Sequence, residues 1–173
     1  MPPTHVQVLV AGTGVPAWHA ACIERLRAVK GIVVSVVAGA QPYRAPGGPG
    51  RRLFGPALAA VAVTPAAGNG LPDIVLDLAG GSPPAAVEVW RFRLGSGAES
   101  EPPFAREIGR GAEALDVALV RHAGESGAVL RSGRFPVTRW YPSTLRWALF
   151  SAAAWPAILV AALIDGARLD APP

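Results

Sequence analysis

Two carboxylates, one imidazole and a glycine turn are the groups in this chain whose types and placement could do chemistry. Glu88 opens the alternating segment Glu88-Val89-Trp90-Arg91-Phe92-Arg93-Leu94, and Glu125 sits in the turn-forming run Gly124-Glu125-Ser126-Gly127. Two carboxylates across a cleft can divide acid and base work or hold a hard cation. No third clear ligand accompanies them, so no metal is expected. The plainer reading pairs Glu88 with an arginine such as Arg121 or Arg134. His122 is the one imidazole close enough in sequence to Glu125 to act as a base. Gly12-Thr13-Gly14 lies between an apolar run and a helical pattern, where backbone N–H groups and a helix start can hold an anion; a plain tight turn is the alternative. The full dinucleotide fingerprint needs glycine again at position 17, but Ala17 stands there after Pro16, which disfavours a nicotinamide cofactor. Trp18 either stacks on a ligand or packs, and His19 reads as a surface histidine.

The elements that must position these groups are legible from periodicity. Val6 to Val10 is a continuously apolar run suited to a buried parallel strand. Pro16 opens a helix whose buried face is Ala20, Ile23, Leu26 and Val29. Gly31 ends it, and Ile32 to Val37 is β-branched and apolar, giving a β-α-β unit with a right-handed crossover. Leu53 to Val63 suits either a short helix or a strand. Ile74 to Leu78 and Val87 to Leu94 are the next strands, with Glu88, Trp90, Phe92 and Leu94 sharing one face of the latter. Phe104 to Gly109 suits a turn or two of helix. Val117 to Val120 then pairs with Ala128 to Leu130 across the Gly124–Gly127 turn. From Pro142 onward the pattern is one long helix, which Pro156 should kink or interrupt.

Composition bounds the rest. A chain of 173 residues, 51% hydrophobic and 16% charged, is folded and suits one domain. Its 20 glycines and 18 prolines cluster in loops such as Pro42 to Gly50 and form no repeat. The net charge is +4, carried almost wholly by scattered arginines; a nucleic-acid binder would gather them in a stripe, so no nucleic-acid partner is expected. Cys22 is the single cysteine, which excludes an intrachain disulfide, and its helical, apolar setting predicts a buried thiol. The start of the chain lacks a basic region and long apolar run, so it does not read as a signal peptide, and a cytoplasmic location is expected. Trp147 to Ile164 holds 18 consecutive uncharged residues, the length of a membrane span. Its alanines, Ser151 and Pro156 favour a helix packed on a sheet instead, with a membrane or interfacial role as the alternative.

The order of these elements resembles the catalytic half of a folate-dependent formyltransferase domain. The resemblance rests on Leu71 to Gly81, on Val87-Glu88-Val89-Trp90-Arg91-Phe92, and on Gly124-Glu125-Ser126-Gly127. The start Gly12-Thr13-Gly14-Val15-Pro16-Ala17-Trp18-His19-Ala20 is similar to a bacterial, glycan-associated group of such domains. In that family a strand ends in an Asn-x-His pair and a later loop supplies an Asp. The resemblance puts Glu88 at the place of the Asn, Trp90 at that of the His, and Glu125 at that of the Asp.

Those replacements remove the family's chemistry. Formyl transfer needs a donor aimed at the developing oxyanion and a tuned acid/base. An ionised Glu88 only accepts hydrogen bonds, and Trp90 does not exchange its N–H proton near neutral pH. The resemblance therefore implies a pseudoenzyme: a formyltransferase-like domain that binds a small molecule or a glycan-related ligand, or serves as an accessory module, with no cofactor. A transferase with a rewired site would be the active alternative, taking 10-formyltetrahydrofolate or a sugar-nucleotide. A membrane-associated protein anchored by its last helix is a third reading.

The expected fold is α/β, a mostly parallel twisted, Rossmann-like sheet in a three-layer α/β/α arrangement. Residues 1–169 would form one domain and 170–173 a tail. Ligands in such sheets bind beyond the carboxyl ends of the strands. That rule gathers Gly12 to Gly14, Ala79 to Ser82, Gly95 and Glu125 around one cleft, with Glu88 and Trp90 facing the same opening; Gly12, Thr13, Gly14, Trp18, Gly80 and Gly81 are the candidate ligand-binding residues. The oligomeric state is left open.

Overall fold

The computed structural model describes residues 3–40, 43, 45, 55–68, 70–80, 88–96, 104–123, 126–138 and 140–169. Eight strands and four α-helices occur among them. In chain order they are β1 (Thr4–Val10), β2 (Gly14–Pro16), α1 (Ala17–Arg27), β3 (Ile32–Ala38), a 3-10 turn (Gly55–Leu58), β4 (Ala60–Ala62), β5 (Ile74–Asp77), β6 (Glu88–Leu94), α2 (Ala105–Gly109), β7 (Ala114–Ala123), β8 (Ser126–Pro136), α3 (Tyr141–Ala152) and α4 (Trp155–Ile164).

Six strands form one sheet in the order β3-β1-β5-β6-β7-β8. The first four are mutually parallel, while β7 and β8 are antiparallel additions. This is a Rossmann-like α/β fold. The chain leaves β1 for β3 on one side and later fills the other side with β5. The strand order therefore reverses between β1 and β5, the switch point of a doubly wound sheet.

Alternation and register carry one apolar face across the sheet. Val6, Val8 and Val10 lie on it, and Val6 stands beside Ile74 and Val8 beside Leu76. Leu76 then stands beside Trp90, and Phe92 beside Leu119. The helical layer covers this face. Trp18, Cys22, Ile23 and Leu26 of α1, Leu145 and Leu149 of α3, and Val160 of α4 join the same buried cluster. α1 touches both α3 and α4. The Cys22 thiol is fully covered, and burial pushes it up to about 12, so it is inert at neutral pH.

The second face is covered differently. Beyond β4 the chain passes the outer edge of β3, where Ala66 exchanges two backbone hydrogen bonds with Val36. Gly68 then lies against His5 and Ser35, whose Nε2 and Oγ are 2.8 Å apart, and a Cβ at position 68 would collide with the His5 ring. Around His5 and Ser35 the described residues that cover this face are a stretch without helix, residues 63–68, and not a packed helix. The segment also shields an edge strand that would otherwise offer unpaired backbone groups.

Two other expectations resolve here. Leu53 to Val63 contains both a 3-10 turn and a strand, with β4 pairing antiparallel to β2 in a small second sheet. Pro156 does interrupt the last helix: α3 ends at Ala152, Ala153 and Ala154 form a turn, and α4 restarts at Trp155. Pro156 sits in the first turn of α4, where its missing N–H leaves no intrahelical bond unmade. Residues 170–173 lie outside the described residues.

Candidate functional site

The carboxyl ends of β1, β5 and β6 bring Gly12–Gly14, Ala79–Gly80 and Gly95 to one edge of the sheet. At the end of β5, the Asp77 side chain has no exposed surface. Its Oδ1 accepts the backbone N–H groups of Ala79 at 2.9 Å and Gly80 at 3.0 Å. Its Oδ2 accepts from Arg91 Nε at 2.8 Å and Nη2 at 2.7 Å. A buried carboxylate survives only with such partners, and here it fixes the loop beside the switch point. Gly80 turns with φ +72°, a conformation glycine adopts without strain.

A second polar cluster lies past the end of β6. Glu107 Oε1 accepts the Ser96 N–H at 2.6 Å and the Ser96 hydroxyl at 2.8 Å. Gly95 makes room for it, since a Cβ there would stand 2.5 Å from that same oxygen. Burial on its own would raise the Glu107 carboxyl; the Ser96 hydrogen bonds outweigh it and hold the group below the usual carboxylate range. The other oxygen, Oε2, is buried with no hydrogen-bond partner among the described residues, and so is the Tyr141 hydroxyl. Burial, and then the Glu107 charge, push the Tyr141 phenol well above its usual range. Phe104, which leads into α2, is fully buried with φ +62°, the one described non-glycine residue in the left-handed region. Strain of that kind costs about 1–3 kcal/mol and persists where the surroundings hold it. An acceptor oxygen and a phenol, both buried and unpaired, are suited to a ligand carrying N–H or O–H groups.

The residues expected from sequence fall elsewhere. Trp90 is fully buried in the core on the helical face, and its indole Nε1 donates to Glu88 Oε1 at 2.6 Å. Glu88 thus meets Trp90, not Arg121 or Arg134; Arg134 instead approaches Asp116, at 3.8 Å. Glu88 also begins β6, beside Ile74, so it stands at the amino edge of the parallel strands. The hairpin points the same way. Because β7 runs antiparallel to β6, with Leu94 beside Val117 and Val89 beside His122, the closing pair Ala123–Ser126 lies beyond the start of β6. The closing pair of β7 and β8 thus stands at the amino edge with Glu88, opposite Gly12–Gly14, so Glu88 and Trp90 do not share the opening expected with the glycine turn. Glu125 and Gly81 themselves lie outside the described residues. His122 stands beside Val89, on the face away from Trp90, and cannot replace the imidazole there.

The glycine turn is also diverted. Val63 N–H donates to the Thr13 carbonyl, and Ala17 N–H, the first of α1, donates to the Ala59 carbonyl at 2.9 Å. The β2–β4 pair thus occupies part of the helix start on which anion binding would depend. Trp18 packs edge-on against Phe92 and is only 2% exposed, so it has no open face for a ligand. Its Nε1 is buried without a partner among the described residues.

His19 packs edge-on against Trp18. It keeps a little exposed surface, yet its neighbours strip enough water from the imidazole to push it down to about 3. It stays neutral through the physiological range. The unfolded chain takes up that proton near pH 6.5, so stability should fall as pH drops from about 6.5 toward 3. Urea midpoints measured at pH 7 and pH 4.5 should show this loss. The loss should be smaller in His19→Asn; an equal loss in both proteins would assign it to other groups.

The indole at position 90 is enclosed, and the near oxygen of Glu88 is already bonded to it. Among the described residues no group of three His, Cys, Asp or Glu side chains is placed to hold a metal ion.

No protein-family profile and no curated protein sequence matches the chain. Among solved structures, it is similar to methionyl-tRNA formyltransferase from Clostridium thermocellum, with a TM-score of 0.47 and 9% identity. The match covers 91% of this chain and 65% of that one. At that level of similarity the assignment of the fold rests on the strand order and pairing described above.

The residues that sequence reasoning missed are Asp77, Ser96, Glu107 and Tyr141. Asp77 carried a usable signal, an Asp shortly before Gly80 at a strand end, the pattern of a side chain capping its own turn. Glu107 and Tyr141 carried none, because their neighbours come from distant parts of the chain.

Proposed function

We propose that this domain is a binding or accessory module for a small polar ligand, of the amino-sugar class, and that it does not transfer formyl groups. The observation that carries this reading is the pair of buried, unpartnered polar atoms, Glu107 Oε2 and the Tyr141 hydroxyl, past the carboxyl end of β6. A carboxylate oxygen held in its charged form favours an ammonium group, and a phenol can donate to or accept from a sugar hydroxyl. The engagement of Glu88 by Trp90 argues against the rewired-transferase alternative.

Calorimetric titration with glucosamine tests it. Binding is expected, weakened at least about tenfold by Glu107→Gln, which removes the charge on one side of a charge-assisted hydrogen bond. Tyr141→Phe should weaken it less. Mixing the protein with 10-formyltetrahydrofolate and glucosamine should give no formylated product. Absence of binding by the wild type, or formyl transfer above background, would refute the proposal.

A further inference from the structure

From the outer surface of the last two helices we infer that α3 and α4 dock this protein on an anionic bilayer surface, lying along it without crossing it. Tyr141–Ile164 is 24 residues long, and its mean hydropathy of 2.0 over an 18-residue window is enough for a membrane span. Only 44% of that window is buried in the protein. The inward side is committed to the core through Leu145, Ala148, Leu149, Ala152 and Val160. A spanning orientation would strip that core from α1, so only the outward side is free to meet lipid.

That outward side has the composition of an interfacial surface. Trp140 is 69% exposed, Trp147 52% and Ile158 47%. Trp147, Ser151 and Ala154 line one shallow groove of about 420 Å³ together with Phe150, Arg25 and Arg146, with no acidic side chain among the described residues of its walls. Ile158 follows one turn on, its N–H donating to the Ala154 carbonyl. Arg25 reaches across from α1 to donate to the Phe150 carbonyl at 2.5 Å. Tryptophan and apolar side chains rimmed by arginines match a bilayer's interface, where indoles sit at the headgroups and cations meet anionic lipid. Two arginines without an acidic neighbour in the groove favour anionic over neutral lipid. They also disfavour a second copy of the same surface, which would set like charges face to face.

Co-sedimentation of the full chain with two kinds of vesicle tests this. It should pellet with phosphatidylcholine vesicles containing phosphatidylserine, stay in solution with phosphatidylcholine alone, and be released by high salt. Arg146→Glu, at an exposed position, should weaken the binding at least about tenfold, because it both removes an attraction and adds a repulsion. Ile158→Ser should also weaken it, and both variants should keep the wild-type melting temperature. No binding to either vesicle, equal binding to both, or unchanged binding by Arg146→Glu would overturn the inference. So would a stable dimer, found by sedimentation equilibrium, that Ile158→Ser dissociates.

Discussion

Trp90→Ala should destabilise the protein by about 3–5 kcal/mol, the range for removing a large aromatic from a close-packed core. Trp90 has no exposed surface and stands between Leu76 and Arg121 in the sheet, under the helical layer. Removing it leaves a cavity that a sheet held by backbone hydrogen bonds on both sides cannot readily collapse. It also takes the indole N–H from Glu88 Oε1. Trp90→Phe keeps most of the volume and isolates the second effect, so it should cost about 1 kcal/mol. Urea unfolding measures both. If Trp90→Ala cost less than about 1 kcal/mol, this residue would not be a core residue, and a site around Glu88 and Trp90 would again be open.

Asp77→Ala should be comparably severe, at about 3 kcal/mol, equivalent to roughly 6–12 °C in melting temperature for a domain of this size. The change leaves Arg91 partly buried without its carboxylate, and it leaves the Ala79 and Gly80 N–H groups without their acceptor. Asp77→Asn keeps an oxygen for those two N–H groups and removes the charge, so it should fall between wild type and Asp77→Ala. Differential scanning calorimetry of the three proteins gives the order directly. Equal melting temperatures for Asp77→Asn and Asp77→Ala would mean that the Arg91 pair matters and the turn does not.

The two cases illustrate different routes from sequence to structure. Asp77 belongs to a local device: a side chain, two N–H groups within three residues, and a glycine free to turn. Trp90 illustrates the opposite. Alternation correctly groups Glu88, Trp90, Phe92 and Leu94 on one face of β6, yet it is silent on which face the helices cover. Packing of α1, α3 and α4 over Val6, Val8 and Val10 turned Trp90 from a candidate site residue into core.

By itself the sequence determined the strands of the parallel sheet, the β1-α1-β3 unit, the β7–β8 hairpin and the break at Pro156. Each follows from hydrophobic period, β-branching, or the geometry of glycine and proline, which act over a few residues. Tertiary structure alone decided the rest. The antiparallel register of β7 on β6 set the Ala123–Ser126 pair at the amino edge, because strand direction depends on the partner and not on local pattern. The pairing of β2 with β4 joined segments too far apart for periodicity to connect, and it closed off part of the start of α1. Glu107 met Ser96 and came near Tyr141 for the same reason: buried polar groups take whatever partners the fold brings to them, which no local pattern encodes.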